Sequence, residues 1–327
     1  MRLSYKPMDF KGIEPDESLS CFIDRVVNPD AEYLTQCGKT IDEVAKVLKS
    51  SEFDYKVMRT IKGGSIGKGT AVRGLSDVDL IFPISDITTV EALKQKMAGM
   101  KDAIQSLLKS KFTVKRWQNT TWAHNTHILI DGSLQEVDIM PILNITKDPS
   151  NLNDDEIKSI HAEMSKTGDT ERGYYNRCLR PLQIKFIGNH KEKIKRVIRL
   201  IKYWIKTNDH TIIKSIAVEL LVIRSWEDLE KPDSDSEEKI SKKVFEHLRN
   251  FGKIRVSWST YYEPADYLHD ISSKPYILDP VDPYNNVISE ITNHYCGGSH
   301  VPEADKAVMK QVNRLQSDAE RAFNSFK

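Results

Sequence analysis

The sequence has no surplus of charge of either sign, few cysteines and no long apolar run, and each absence removes a class of function. Its 327 residues carry 48 Lys and Arg against 47 Asp and Glu, a formal net charge of +1. That balance excludes a histone-like tail, a polybasic membrane anchor and any indiscriminate binder of polyanions. The longest apolar candidate, Ile216 to Ile223, is interrupted by Glu219 and falls far short of the roughly 18 residues a membrane helix needs. The opening Met-Arg-Leu-Ser-Tyr-Lys-Pro lacks the apolar centre of a signal peptide, so the expected compartment is the cytoplasm, with the nucleus as a second candidate. Cys21, Cys37, Cys178 and Cys296 are scattered without a CxxC pair, which suits a reduced compartment better than a disulfide framework. Internal repeats are absent too, and 39% apolar with 29% charged residues is a globular composition.

What is present changes character near the middle of the chain. Helical spacing at about Ser18 to Val27 and Ile41 to Lys49 alternates with strand-like runs at Tyr55 to Ile61, Val78 to Ile84, Phe112 to Trp117, His127 to Ile130 and Leu134 to Ile142. A helix over Val90 to Lys109 joins two of these strands, and Thr146 to Asp155, rich in Pro, Ser, Asn and Asp, reads as a junction. Helices then dominate: Tyr174 to Ile187, Lys191 to Lys206, Ser215 to Leu229, Lys239 to Asn250 and Glu303 to Phe323. The expectation is an α+β chain, with a mixed-sheet domain and its amino-terminal helices in residues 1–150 and a mostly helical domain in 151–327.

Two charge blocks lie in the second half. From Lys191 to Lys206 seven bases face one acid, and from Glu227 to Glu238 seven acids face one base. The acidic block, with its Pro and Ser, reads as a solvated loop. In the basic block Ile194, Val197, Ile198, Ile201 and Ile205 form an apolar stripe, while Lys191, Lys195, Arg199, Lys202 and Lys206 line another face. One face packs, and the other is either solvated or binds an anion.

The most informative stretch runs from Lys62 to Leu80: KGGSIGKGTAVRGLSDVDL. A Walker loop requires Ser or Thr directly after Gly-Lys, and here Gly69 follows Lys68; the Rossmann pattern fails because Val72 stands where its third Gly belongs. What remains is a loop of small residues at Gly64 and Ser65 whose N–H groups can approach phosphate oxygens, with Lys68 as a nearby charge. Asp77 and Asp79, two apart at a strand start, point from one face, and Asp138 in the strand Glu136 to Pro141 can stand beside them. Two close carboxylates repel unless cations lie between them. Three on adjacent strands suit two Mg2+ ions, with Mn2+ as a substitute.

These motifs carry a resemblance. Gly64-Ser65 with Asp77-x-Asp79 resembles the signature of the polymerase-beta-like nucleotidyltransferases, and the full run resembles the 2′-5′-oligoadenylate synthases and their relative cyclic GMP-AMP synthase. Leu200 to Trp204, Ala217 to Val222 and Lys274 to Pro283, the last with its Ile-Leu-Asp-Pro-x-Asp-Pro block, resemble in order the carboxyl-terminal blocks of the oligoadenylate synthases. The resemblance implies a polymerase-beta-like lobe followed by a helical lobe, and a role in innate antiviral defence. It implies that Asp77, Asp79 and Asp138 bind catalytic Mg2+, that Gly64, Ser65 and Lys68 hold the donor triphosphate, and that Arg199 and Lys202 bind nucleotide phosphates. It also implies template-independent synthesis of 2′-5′-linked oligoadenylates from ATP, activated by double-stranded RNA. Asp138 can further serve as the base for the acceptor 2′-OH.

The departures are specific. The family's Gln-Tyr pair before the Ala-x-Glu-Leu-Leu block corresponds to Ser215-Ile216, which leaves linkage and product length open. RNA-holding basic residues are only partly matched, with Ile184 and Lys185 after Leu182-Gln183; Lys62, Lys193 and Lys195 are the candidates here. No Cys-Phe-Lys oligomerisation motif is found, so a monomer is expected. His294-x-Cys296-x-x-x-His300 offers three ligands without a Cys-Cys pair, and no zinc is expected. Two alternatives stand: a cyclic GMP-AMP synthase-like receptor that makes a cyclic dinucleotide from ATP and GTP, and a catalytically silent RNA-binding relative.

Overall fold

The computed structural model describes residues 9–120, 123–230, 236–268, 274–295 and 302–326. The chain divides into two compact units, Met1–Asn28 with His190–Lys327, and Pro29–Asn189. In the first, the amino-terminal stretch forms α1 (Leu19–Phe22), capped by the Ser18 hydroxyl on the Cys21 N–H, and continues as a π-helical turn over Ile23–Val27.

The unit Pro29–Asn189 opens with α2 (Ala31–Leu48), whose first turn is closed by the Asp30 carboxylate on the Tyr33 N–H. It continues through β1 (Ile61–Lys62), the single turn α3 (Gly64–Lys68), β2 (Val78–Pro83), α4 (Val90–Lys111), β3 (Thr113–Asn119), β4 (His124–Ile130) and β5 (Ser133–Ile142). The five strands make a mixed sheet in the order β1-β2-β5-β4-β3. Only β2 and β5 run parallel; the long return through α4 and the β3–β4 hairpin is the crossover that a parallel pair requires. Val78, Leu80, Phe82, Val137 and Ile139 alternate inward and join Ile41 and Val44 of α2 with Met100 and Ile104 of α4 in one core. The mixed sheet expected from sequence is present. The strand expected at Tyr55 to Ile61 shrinks to β1 and an isolated bridge between Val57 and Ile84, because this edge segment pairs on one side only and turns Met58 outward.

The stretch read as a junction holds the start of a helix. α5 (Asp154–Ser165) begins with a capping box in which Asn153 and Glu156 satisfy each other's backbone N–H groups. α6 (Asp169–Gly188) follows, with Pro181 inside it. Both helices pack in the same compact unit as the sheet, which runs from Pro29 to Asn189.

Beyond it come α7 (Glu192–Thr207), α8 (Ser215–Asp228), α9 (Glu237–Arg249), the short parallel pair β6 (Arg255–Val256) and β7 (Tyr276–Ile277), α10 (Ser289–Thr292) and α11 (Lys306–Ser325). The expected apolar stripe of α7 is buried, and Trp204 beside it packs edge-on against Phe245 with ring centres 4.9 Å apart. Among the described residues no helix is long and apolar enough to cross a membrane.

Candidate active site

The Gly-Ser stretch folds as a helical turn rather than an open loop. β1 leads into Gly63, whose N–H donates to the Asp79 carbonyl at 2.8 Å; Gly67 N–H then returns to the Gly63 carbonyl at 2.8 Å, and Thr70 N–H to that of Ser65 at 2.8 Å. The glycines are required by the approach of β2. A Cβ on Gly63 would lie 2.8 Å from Asp79 Cβ, and one on Gly64 only 1.6 Å from Asp79 Oδ2. Gly64 also has φ +49°, in the left-handed region. The turn therefore holds its backbone directly against one carboxylate. Lys68 closes it, buried at 6% exposure, with its charge acting on Asp79.

Asp79 and Asp138 are register partners on the parallel strands β2 and β5. Asp77, just ahead of β2, is exposed. Asn125 of β4 donates through Nδ2 to Asp138 Oδ1 at 2.9 Å and to Glu136 Oε1 at 2.6 Å. Burial, reinforced by the charge of Asp138, pushes the Asp79 carboxyl up to about 7, against the pull of Arg180 and Lys68. Burial raises Asp138 as well, and Glu136 adds to this, while the Asn125 hydrogen bond and Arg180 oppose it.

Among the described residues no three His, Cys, Asp or Glu side chains are gathered tightly enough, as they stand, to hold a metal ion. The donor set nonetheless fits a hard divalent cation. Two carboxylates sit side by side, both driven toward the protonated form chiefly by burial, and oxygen ligands of this kind are those Mg2+ and Mn2+ take.

Lys62 is exposed, 3.7 Å from Asp42. Arg199 and Lys202 belong to the other unit and are buried in ion pairs: Arg199 Nη1 donates to Asn28 Oδ1 at 2.9 Å and Glu192 Oε1 at 2.7 Å, and Lys202 Nζ lies 3.3 Å from Glu219 Oε1. Lys193 and Lys195 are half-buried on α7. His294 Nδ1 pairs with Asp305 Oδ1 at 2.8 Å, whereas Cys296 and His300 lie outside the described residues. Sequence reasoning missed Glu136, Asn125, Arg177 and Arg180. Glu136 was accessible, since it lies two residues before Asp138 and so on its face; no spacing rule connects the arginines of α6 to the strands.

A mixed sheet with paired acids on adjacent parallel strands and a Gly-Ser turn beside them defines the polymerase-beta-like nucleotidyltransferase fold. A solved complex of CdnC with HORMA-deltaN from E. coli MS115-1 has TM-score 0.58 at 20% identity, covering 94% of this chain and 96% of that one. A structure of the Cid1 poly(U) polymerase bound to MgATP has TM-score 0.57 at 12% identity over 91% of each chain. The family profile described as 2'-5'-oligoadenylate synthetase 1, domain 2, C-terminus matches residues 155–321, and the chain belongs to this family of nucleotidyltransferases. A second profile, the Second Messenger Oligonucleotide or Dinucleotide Synthetase domain, matches residues 14–170. Mouse 2'-5'-oligoadenylate synthase 2 is 26% identical over 84% of this chain, which spans 41% of that protein. Mouse 2'-5'-oligoadenylate synthase 1A is 28% identical over 84% of this chain and 82% of its own length.

Proposed function

We propose that the chain joins ATP into 2′-5′-linked oligoadenylates without a template, as a cytoplasmic monomer activated by double-stranded RNA. The observation that carries this reading is the parallel register of Asp79 and Asp138 against the Gly63-Gly64-Ser65 turn. Asp79 and Asp138, with Asp77 at the start of β2, would hold two Mg2+ ions, which supply countercharge to the phosphates and acidify the acceptor hydroxyl. The chain's own residues do the rest. The turn brings N–H groups and the Ser65 hydroxyl to the donor phosphates, and Lys68 adds a fixed charge. Asn125 orients the Asp138 carboxylate by holding Oδ1, so that it can take the proton of the acceptor 2′-OH. In-line attack on the α-phosphate then expels pyrophosphate. Arg199 and Lys202 enter as phosphate ligands through family likeness, and Lys62, Lys193 and Lys195 as the RNA-facing cations.

A second reading, a cyclic dinucleotide made from ATP and GTP, is favoured by the match of residues 14–170 to the second-messenger synthetase domain. The test incubates labelled ATP and GTP with the protein, with and without long double-stranded RNA, and treats the product with phosphatase. A linear oligomer loses its terminal phosphate, whereas a cyclic product is resistant. No consumption of nucleotide under any metal or RNA condition would leave a silent RNA-binding relative. RNA stimulation should weaken steeply with salt, since each phosphate contact releases counterions. Synthesis retained in a folded Asp77→Asn, Asp79→Asn double variant would sink the acid assignment.

A further inference from the structure

Two cationic side chains act on the acid pair from within the sheet unit: Lys68 of the glycine-rich motif on Asp79, and Arg180 of α6 on both Asp79 and Asp138. Arg177 stands one turn before Arg180 on the same helix. On a helix, residues 177, 180, 184 and 188 follow one another at steps of three and four and share a face. The carboxyl-terminal part of that face is fixed against α3: Ile184 Cγ2 lies 3.4 Å from where a Cβ on Gly67 would be, and a Cβ on Gly188 would lie 3.8 Å from the Lys68 carbonyl. Arg180 stands one turn before Ile184 on this stripe, and its charge reaches both Asp79 and Asp138.

Its bonding is unusual for an arginine so placed. The Nε atom of Arg180 is buried without a hydrogen-bond partner, and the side chain makes no hydrogen bond or ion pair with any described residue. A guanidinium offers five donors. Leaving a buried donor unmade costs about 1–3 kcal/mol, so a fold that only needed to neutralise Asp79 and Asp138 would close a salt bridge to one of them. Arg177 lies alongside: its Nη1 donates to the Gly173 carbonyl at 2.5 Å, and burial with the nearby charge of Arg180 depresses it to about 9. Two like charges side by side, with the donors of Arg180 uncommitted, suit an anion carrying more than one charge.

We propose that Arg177 and Arg180 form a phosphate clamp on α6 that holds the polyphosphate of the bound nucleotide beside the acid pair, so that the site selects for polyphosphate charge rather than for the nucleoside. This deepens the nucleotidyltransferase reading and rests on it for the identity of the ligand. Within the sheet unit, α6 thus adds its charge to that of Lys68.

Binding is measured by calorimetry in EDTA and again with Mg2+, using inorganic tripolyphosphate, ATP, ADP and AMP as probes, on the wild type, Arg180→Gln, Arg180→Lys and Arg177→Gln. The wild type should bind in the order tripolyphosphate and ATP, then ADP, then AMP. Arg180→Gln should weaken ATP and tripolyphosphate by roughly 10- to 100-fold, the range for a charge-assisted bond, while AMP changes by less than about threefold. Arg180→Lys should recover part of the loss, and Arg177→Gln should reproduce a smaller form of it. Thermal melts establish that each variant folds. If Arg180→Gln shifts only the melting temperature, and Asp79→Asn in the same chain restores it with ATP binding unchanged, the arginine merely balances the acids and the clamp is refuted. Failure of the wild type to bind tripolyphosphate or ATP refutes it equally. If tripolyphosphate binding depends on Arg180 but no product forms from ATP, the clamp stands and the synthase reading falls.

Discussion

Substitution of Gly64 by Ala tests whether the turn is built around the Asp79 carboxylate. The added methyl would lie 1.6 Å from Asp79 Oδ2. To regain an ordinary contact the carboxylate must retreat by roughly 1.5–2 Å. A misplacement of about 1 Å at reacting groups can cost about 100-fold in rate, so Gly64→Ala should lose at least that much activity. It also bears the strain of a side chain at φ +49°, about 1–2 kcal/mol. Two companions separate these effects. Gly74 has φ +66° and open space around its Cβ position, so Gly74→Ala carries the strain alone; it should lower the melting temperature by roughly 2–8 °C and leave catalysis near wild type. Gly63→Ala meets Asp79 Cβ at 2.8 Å with φ at −93°; it has the collision without the strain and should lose roughly tenfold. Pyrophosphate release from ATP with Mg2+, with and without double-stranded RNA, together with thermal melts, reads both quantities. If Gly64→Ala keeps activity within about threefold of Gly74→Ala, the turn does not position Asp79 and the reasoning fails.

The Asp79 carboxyl, held at about 7 against 3.8 in the open chain, makes the folded metal-free protein bind a proton the unfolded chain lacks. Stability in EDTA should therefore fall as pH rises from about 4 to 7; Asp79→Asn should flatten that limb and melt higher at neutral pH, and an unchanged slope would count against the buried acid. His124 has the opposite sign: burial and Lys101 drive it from 6.5 down to about 4, so stability is lost as pH falls through that window, by up to about 3 kcal/mol. Urea unfolding of wild type and His124→Gln at neutral and acid pH should show that loss only in the wild type, and equal losses in both would refute it. Lys202 and Glu219 are buried partners 3.3 Å apart, so Lys202→Met alone should cost about 3–5 kcal/mol and Lys202→Met with Glu219→Leu far less; equal destabilisation of the two in urea unfolding would refute a structural pair.

The strands that carry the acids were legible because their physics is local. Val78, Leu80 and Phe82 alternate with Asp79 at a period only a sheet can use, and the boundaries of β2 and β5 fall within a residue of those expected. Asn153-Asp154-Asp155-Glu156 was misread for an equally local reason. Its composition suits a loop, but the same residues cap a helix, with Asn153 accepting from the Glu156 N–H and three acids in the first turn. The arginines of α6 were not legible at all. The relation of Arg180 to Asp79 depends on how α6 packs on α3, a long-range contact made by Ile184 and Gly67, and no pattern within the helix encodes it.

The basic face of α7 shows where charge periodicity stops being informative. Spacing establishes that Lys191, Lys195, Arg199, Lys202 and Lys206 share a face but says nothing of what covers it. Arg199 turns to Asn28 and Glu192, and Lys202 to Glu219, a residue that interrupts the most apolar helix of the chain. Arg196 pairs with Asp24 and with Glu237, and Glu237 belongs to the acidic block that read as a loop. The opposed blocks thus meet in part within one unit, and Arg199 and Lys202 already have partners inside the fold. An anion site needs uncommitted donors, and commitment is a tertiary property. On that criterion Arg180, which no charge count singled out, is the stronger candidate than any cation of the block that did stand out.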